Sequence, residues 1–146
     1  MKTVIQRVTK GALYVEGSFK GEISRGIVLL VAFEKGDTEK DCEYLAGKVL
    51  SLRIFENAEG KMDYSLADIK GSIMVISQFT LCGNCRRGNR PDFTEAEAPD
   101  KAALLYDKFT DIIKRSAENV LRGDFGKHML VEIHNDGPVT ILLNSR

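Results

Sequence analysis

Two uninterrupted apolar runs constrain this chain more than any other feature: Gly26-Ile27-Val28-Leu29-Leu30-Val31-Ala32-Phe33 and Ile73-Met74-Val75-Ile76. Both are rich in β-branched residues and predict strands buried on both faces. Strands of that kind need apolar cover above and below, so the expected class is α+β with more than two layers.

The remaining segments supply the cover. Residues 4–8 predict a first strand, and residues 12–15 and 18–23 a hairpin turning at Glu16-Gly17. Thr38 can cap a helix whose acids Glu39, Asp41 and Glu43 suit its positive end, with Cys42, Leu45, Ala46, Val49 and Leu50 as its apolar stripe. Residues 53–56 predict a short strand, turning at Asn57-Ala58-Glu59-Gly60. A second helix is expected from Pro99-Asp100 to Glu118, burying Tyr106, Phe109, Ile112 or Ile113, and Ala117. Gly123-Asp124-Phe125-Gly126 breaks the pattern. Residues 129–133 and 139–143 then predict two closing strands joined through His134-Asn135-Asp136-Gly137-Pro138. With no repeat or linker, the expectation is one domain over residues 1–146.

The 146 residues can bury a core without metal or disulfide staples. Twenty-one basic and 21 acidic side chains cancel, so any contact with nucleic acid must rest on a local patch rather than on overall charge. Gln6 and Arg7 interrupt the N-terminal apolar stretch, and no run approaches the roughly 20 apolar residues a membrane helix needs. Three cysteines, an odd number, fit a reducing compartment. The expected location is the cytoplasm.

The second apolar run ends in Ser77-Gln78-Phe79-Thr80-Leu81 and then a Gly- and Arg-rich loop over 82–90, so polar groups stand where a rigid strand opens onto a cleft. Strand alternation would put Ser77 and Phe79 on the face opposite Gln78 and Thr80. The Thr80 hydroxyl needs a base to act as a nucleophile, and neither His128 nor His134 lies in a recognisable triad. Thr80 is therefore open between a nucleophile and a packing or capping residue. Main-chain N–H groups that lose ladder partners at this strand end could stabilise an oxyanion.

Cys82-Gly83-Asn84-Cys85 has no second ligand pair for zinc and no helix start for a redox motif, so it reads as two loop thiols without a shared function. Arg86, Arg87 and Arg90 read equally as a solvated loop or as a grip on RNA phosphates. Gly137-Pro138 reads as a β-turn or as a cis peptide, which only X–Pro bonds reach at modest cost. Asn135 and Asp136 read as ordinary turn residues.

Taken together, Ile5-Gln6-Arg7-Val8, Arg53-Ile54-Phe55, Glu59-Gly60-Lys61-Met62, Ser77-Gln78-Phe79-Thr80-Leu81, Arg90-Pro91 with Phe93, Pro99-Asp100 with Tyr106, and Asn135-Asp136-Gly137-Pro138-Val139-Thr140 resemble the bacterial D-aminoacyl-tRNA deacylases, also called D-tyrosyl-tRNA deacylases. The resemblance runs in order along essentially the whole chain. It implies a three-layer α/β/β fold with mixed sheets and two main helices, assembled as a homodimer with the active site at the subunit interface.

It further implies hydrolysis of D-aminoacyl-tRNA, and of glycyl-tRNA mischarged on tRNA-Ala, with no cofactor and no obligatory metal. A cis Gly137-Pro138 of one subunit would face Ser77, Gln78, Phe79 and Thr80 of the other and exclude L-amino acids. Arg7 matches the arginine that holds the Gly-Pro loop, and Met129 the methionine near the pocket. On this reading the amides of Phe79 and Thr80, more than the Thr80 side chain, carry catalysis beside the substrate 2′-OH. Ser77, Gln78, Met129, Gly137 and Pro138 bind substrate, and Arg86, Arg87 and Arg90 bind RNA. The alternatives are a related class that edits L-alanyl-tRNA with a trans Gly-Pro, which Arg7 disfavours, and a non-catalytic binder of nucleic-acid ends.

Overall fold

The computed structural model describes residues 1–86 and 88–146; Arg87 lies outside them. The chain runs β1 (Lys2–Val15), β2 (Ser18–Ile23), β3 (Gly26–Ala32), α1 (Glu39–Ser51), β4 (Phe55–Glu56), β5 (Met62–Tyr64) and β6 (Ser72–Ser77). A 3-10 turn (Phe79–Cys82), α2 (Pro99–Ser116), β7 (Asn119–Arg122) and β8 (Met129–Asn144) complete it. Six strands form one mixed sheet in the order β2-β1-β3-β6-β7, with β8 paired to β1, while β4 and β5 make a separate ribbon. Among the described residues only the β3–β6 and β6–β7 pairs are parallel.

This one sheet supplies two layers. Residues 2–8 of β1 pair with β3, whereas residues 11–15 pair with β2. Against β8, the register of β1 slips between Gln6 and Val8 and again between Val8 and Lys10. Such bulges bend a strand and increase its twist, so the far half of β1, with β2 and the start of β8, folds back over β3 and β6. The layers meet closely at Gly11, where a Cβ would stand 3.2 Å from both Met74 Cε and Val28 Cγ2.

The two apolar runs are sandwiched as their composition requires. Ile27, Leu29 and Val31 of β3 and Ile73 and Val75 of β6 pack against Cys42, Leu45, Ala46 and Val49 of α1 and Tyr106, Phe109 and Ile113 of α2. Their neighbours Val28, Met74 and Ile76 point the other way, onto Val8, Leu13 and Ile23. Alternating side chains on these strands thus feed two separate cores. Each fully buried aliphatic side chain contributes about 1.5–3 kcal/mol. The expected α+β, three-layer α/β/β architecture with two main helices is the observed one.

Helix α1 starts as expected at Thr38, although the Asp41 carboxylate does much of the capping: it accepts the Thr38 N–H and hydroxyl, both at 2.9 Å. Three expectations are corrected. The strands expected over 4–8 and 12–15 are one strand, as are those over 129–133 and 139–143, because β1 and β8 pair with each other across their bends. The second helix ends at Ser116, and the residues that follow form β7, a strand too short to carry a sequence signal of its own. No helix among the described residues is long and apolar enough to cross a membrane.

Candidate active site

Strand β6 ends at Ser77 because the chain turns there. Gln78 N–H donates to Val31 O at 2.7 Å, and the following residues wind into the 3-10 turn with Leu81 N–H on Gln78 O at 3.1 Å and Gly83 N–H on Thr80 O at 2.9 Å. The amides of Phe79 and Thr80 open that turn. They have no partner within it, and neither meets a carbonyl elsewhere among the described residues. Strand alternation therefore stops at Ser77, and Ser77, Gln78 and Phe79 share one cavity instead of dividing between two faces.

That cavity is a cleft of about 500 Å³ with a mainly apolar lining. Ser77, Gln78, Phe79 and Met129 border it, whereas Thr80 does not; Phe33, Pro99, Ala102 and Phe125 add apolar surface, and Lys127 and His128 add basic groups. The exposed Phe79 ring packs edge-on against Phe93, centroids 5.0 Å apart. Thr80 Oγ1 accepts a hydrogen bond from Gln78 Nε2, an amide donor and not a base.

Gly137 and Pro138 are exposed, do not line this cleft in the same chain, and are joined by a cis peptide, the isomer the resemblance implies. Gly137 has φ +119°, and a Cβ there would stand 3.1 Å from Arg7 Nη2. The Arg7 side chain is buried. Its Nη1 donates to Ile54 O at 2.7 Å and its Nε to Asp136 O at 3.3 Å; ion pairs join it to Asp136 Oδ2 at 3.1 Å and Glu56 Oε1 at 3.5 Å.

Asn135, expected to be an ordinary turn residue, ties the same loop from within: its Nδ2 donates to Arg7 O at 2.9 Å and Val139 O at 3.0 Å. Its polar identity in a turn carried no sign of this role, because the Arg7 carbonyl reaches it only where β1 passes. Tyr106 ties a different segment, joining the middle of β6 to the start of the 123–128 loop. Its hydroxyl lies 2.8 Å from Val75 O and 3.0 Å from Gly123 O, and burial pushes its pKa up to about 12, so it remains a neutral donor.

Arg86 and Arg90 of the basic loop do not line the cleft. Asn84 and Asp92 exchange main-chain bonds of 2.8 and 2.9 Å at the base of the loop, and Arg86 and Arg90 are exposed beyond them. Arg87, expected to share their role, is outside the described residues. Cys82 is buried and Cys85 exposed, and both thiols are free.

A sequence model of the D-Tyr-tRNA(Tyr) deacylase family matches residues 4–144. The chain belongs to that family. Among related D-Tyr-tRNA(Tyr) deacylase sequences, it is 49% identical to the D-aminoacyl-tRNA deacylase of Clostridium acetobutylicum, covering 100% of this chain and 98% of that protein. It is 51% identical to the D-aminoacyl-tRNA deacylase of Thermotoga petrophila, covering 99% and 97%.

Among solved structures, one described as a c-Myc DNA unwinding element binding protein superposes with a TM-score of 0.95 at 39% identity, covering 100% of this chain and 99% of that one. One described as a probable eukaryotic D-amino acid tRNA deacylase superposes with a TM-score of 0.84 at 20% identity, covering 98% of each, and shows the shared fold. The D-Tyr-tRNA(Tyr) deacylase family is thus the one that the motifs around Ser77 and Gly137 resemble.

Proposed function

We propose that this chain, acting as one domain over residues 1–146 in the cytoplasm, hydrolyses the ester between a D-amino acid, or glycine, and the terminal adenosine of tRNA. Water adds to the ester carbonyl, the C–O bond to the ribose breaks, and free amino acid and tRNA leave. The amides of Phe79 and Thr80 stabilise the oxyanion formed on the way, and the substrate 2′-OH assists. The observation that carries the reading is the pair of main-chain donors left without partners just past the end of β6, the first of them on Phe79, which lines the cleft.

L-substrates are rejected by steric exclusion. The Gly137-Pro138 segment of a partner subunit enters the cleft, its carbonyls bind the substrate ammonium, and it fills the space an L side chain requires. Arg7 holds that segment in shape. Glycine has no side chain to exclude and is hydrolysed. Arg86, Arg87 and Arg90 contact phosphates of the RNA. Supporting the homodimer, Gly137 and Pro138 are exposed and off their own chain's cleft, and Leu130 and Leu142 on the outward side of β8 are 58% and 72% exposed.

The test is single-turnover deacylation of matched D-, L- and glycyl-tRNAs. Release from D- and glycyl-tRNA with L-tRNA spared is expected. Preferential release of L-alanine would move the chain to the L-alanyl-editing class. Protection of every ester would favour a binder of nucleic-acid ends, a reading whose support is the description of the solved relative superposing at a TM-score of 0.95. Sedimentation should give a dimer at assay concentration; an active monomer would rule out the shared cleft.

A further inference from the structure

The β1–β2 hairpin turns through Glu16 and Gly17, with φ of +49° and +79°. A two-residue turn with both φ positive favours Asn-Gly or Gly-Gly, because a longer L side chain crowds its own backbone there. Glu16 is one of two non-glycine residues with positive φ among those described. A residue kept in a conformation it disfavours calls for a compensating contact.

That contact is double and falls on one residue. Glu16 N–H donates to His128 O at 3.0 Å, and Glu16 Oε1 accepts the His128 N–H at 2.9 Å. The hairpin holds the same loop a second time, through an ion pair from Lys20 to Asp124. At the loop's other end, Gly123 N–H donates to Val75 O at 2.9 Å beside the Tyr106 hydroxyl. Between these anchors run Phe125, Gly126, Lys127 and His128, all of them cleft-lining, and Met129 follows.

We infer that Glu16 is a positioning residue that fixes the wall of the cleft formed by residues 125–129, exchanging a favourable turn for a hook on His128. The inference rests on the deacylase reading of the cleft. Only a side chain with an acceptor about three bonds beyond Cβ reaches the His128 amide while the main chain bonds its carbonyl, so asparagine suits the turn but falls short of the hook. Glutamine keeps an acceptor at the right length.

The experiment compares wild type with Glu16→Asn and Glu16→Gln in thermal stability, deacylation kinetics and hydrogen exchange at the His128 amide. Glu16→Asn should match or exceed the wild-type Tm, exchange His128 faster, and lose at least about tenfold in kcat/KM, since small misplacements at a reacting site are costly. Glu16→Gln should retain both the slow exchange and most of the activity. A merely structural role would make activity follow Tm. An Asn variant with wild-type kcat/KM, or a Gln variant as impaired as Asn, would overturn the inference. If wild type hydrolyses no aminoacyl-tRNA, the proposed function fails; exchange then still decides, with faster exchange in Asn alone supporting the hook and equal exchange in all three refuting it.

Discussion

The Arg7 guanidinium holds Asp136 twice, by its main-chain carbonyl and by its carboxylate, one residue before the cis Gly137–Pro138 peptide. The same group donates to Ile54 O next to the β4–β5 ribbon. A single buried cation thus fastens an exposed loop to the body of the fold.

Arg7→Lys tests that fastening. A lysine keeps the charge but not the planar fork that serves several acceptors at once. We expect a loss of about 2 kcal/mol in chemical denaturation. On the proposed function, discrimination between D- and L-aminoacyl-tRNA should narrow as well. Unchanged stability and selectivity would show that Arg7 does not hold the loop.

Thr80→Ala separates the amide from the hydroxyl. The Thr80 side chain is exposed and its hydroxyl is bonded by Gln78 Nε2. Single-turnover deacylation should stay within about tenfold of wild type, whereas losing a true nucleophile costs on the order of 10⁶-fold. The larger loss, with circular dichroism unchanged, would return the hydroxyl to the centre of the mechanism.

Asp41 makes stability depend on acid. Burial alone would raise its pKa, yet the Ser145 hydroxyl near it and hydrogen bonds from the Thr38 N–H and hydroxyl outweigh that and hold it at about 2. A carboxyl with a lowered folded-state pKa contributes stability in full above about pH 4 and loses it as pH falls toward the folded value. Asp41→Asn should cost about 1 kcal/mol at neutral pH and flatten the urea-midpoint profile between about pH 4 and 2. A mutant profile parallel to that of wild type would contradict the assignment.

The three cysteines should react unequally. Cys85 is exposed, whereas Cys42 and Cys82 are 0% and 3% exposed, and burial pushes the Cys42 thiol up to about 12. A thiol reagent at pH 8 should modify one cysteine in the folded protein and all three after denaturation. Cys82→Ser with Cys85→Ser should leave deacylation unchanged; loss of activity in that pair would revive a redox role for the loop.

Several elements were legible in the residues because their signals are local. The two β-branched runs demanded cover on both faces, and Thr38 with the Cys42-to-Val49 stripe marked α1. Short motifs around Ser77 and Gly137 carried the family. The turn at Phe79 is not legible as one, because Phe79-Thr80-Leu81 has strand-like composition and only the bond from Gln78 N–H to Val31 O marks where the ladder ends.

The sequence by itself thus determined the layered α+β class, the helices and the family. The tertiary structure alone decided which residues meet. Asn135 and Arg7 are 128 positions apart, as are His128 and Glu16 by 112, and each pair is joined by hydrogen bonds. The first pair lies where β1 and β8 bend together and the second just beyond the end of their pairing at Val15 and Met129, and both depend on strand register. The strand end at Ser77 was already marked by its own residues, whereas only the fold shows that Phe125 to Met129 line a cleft with it.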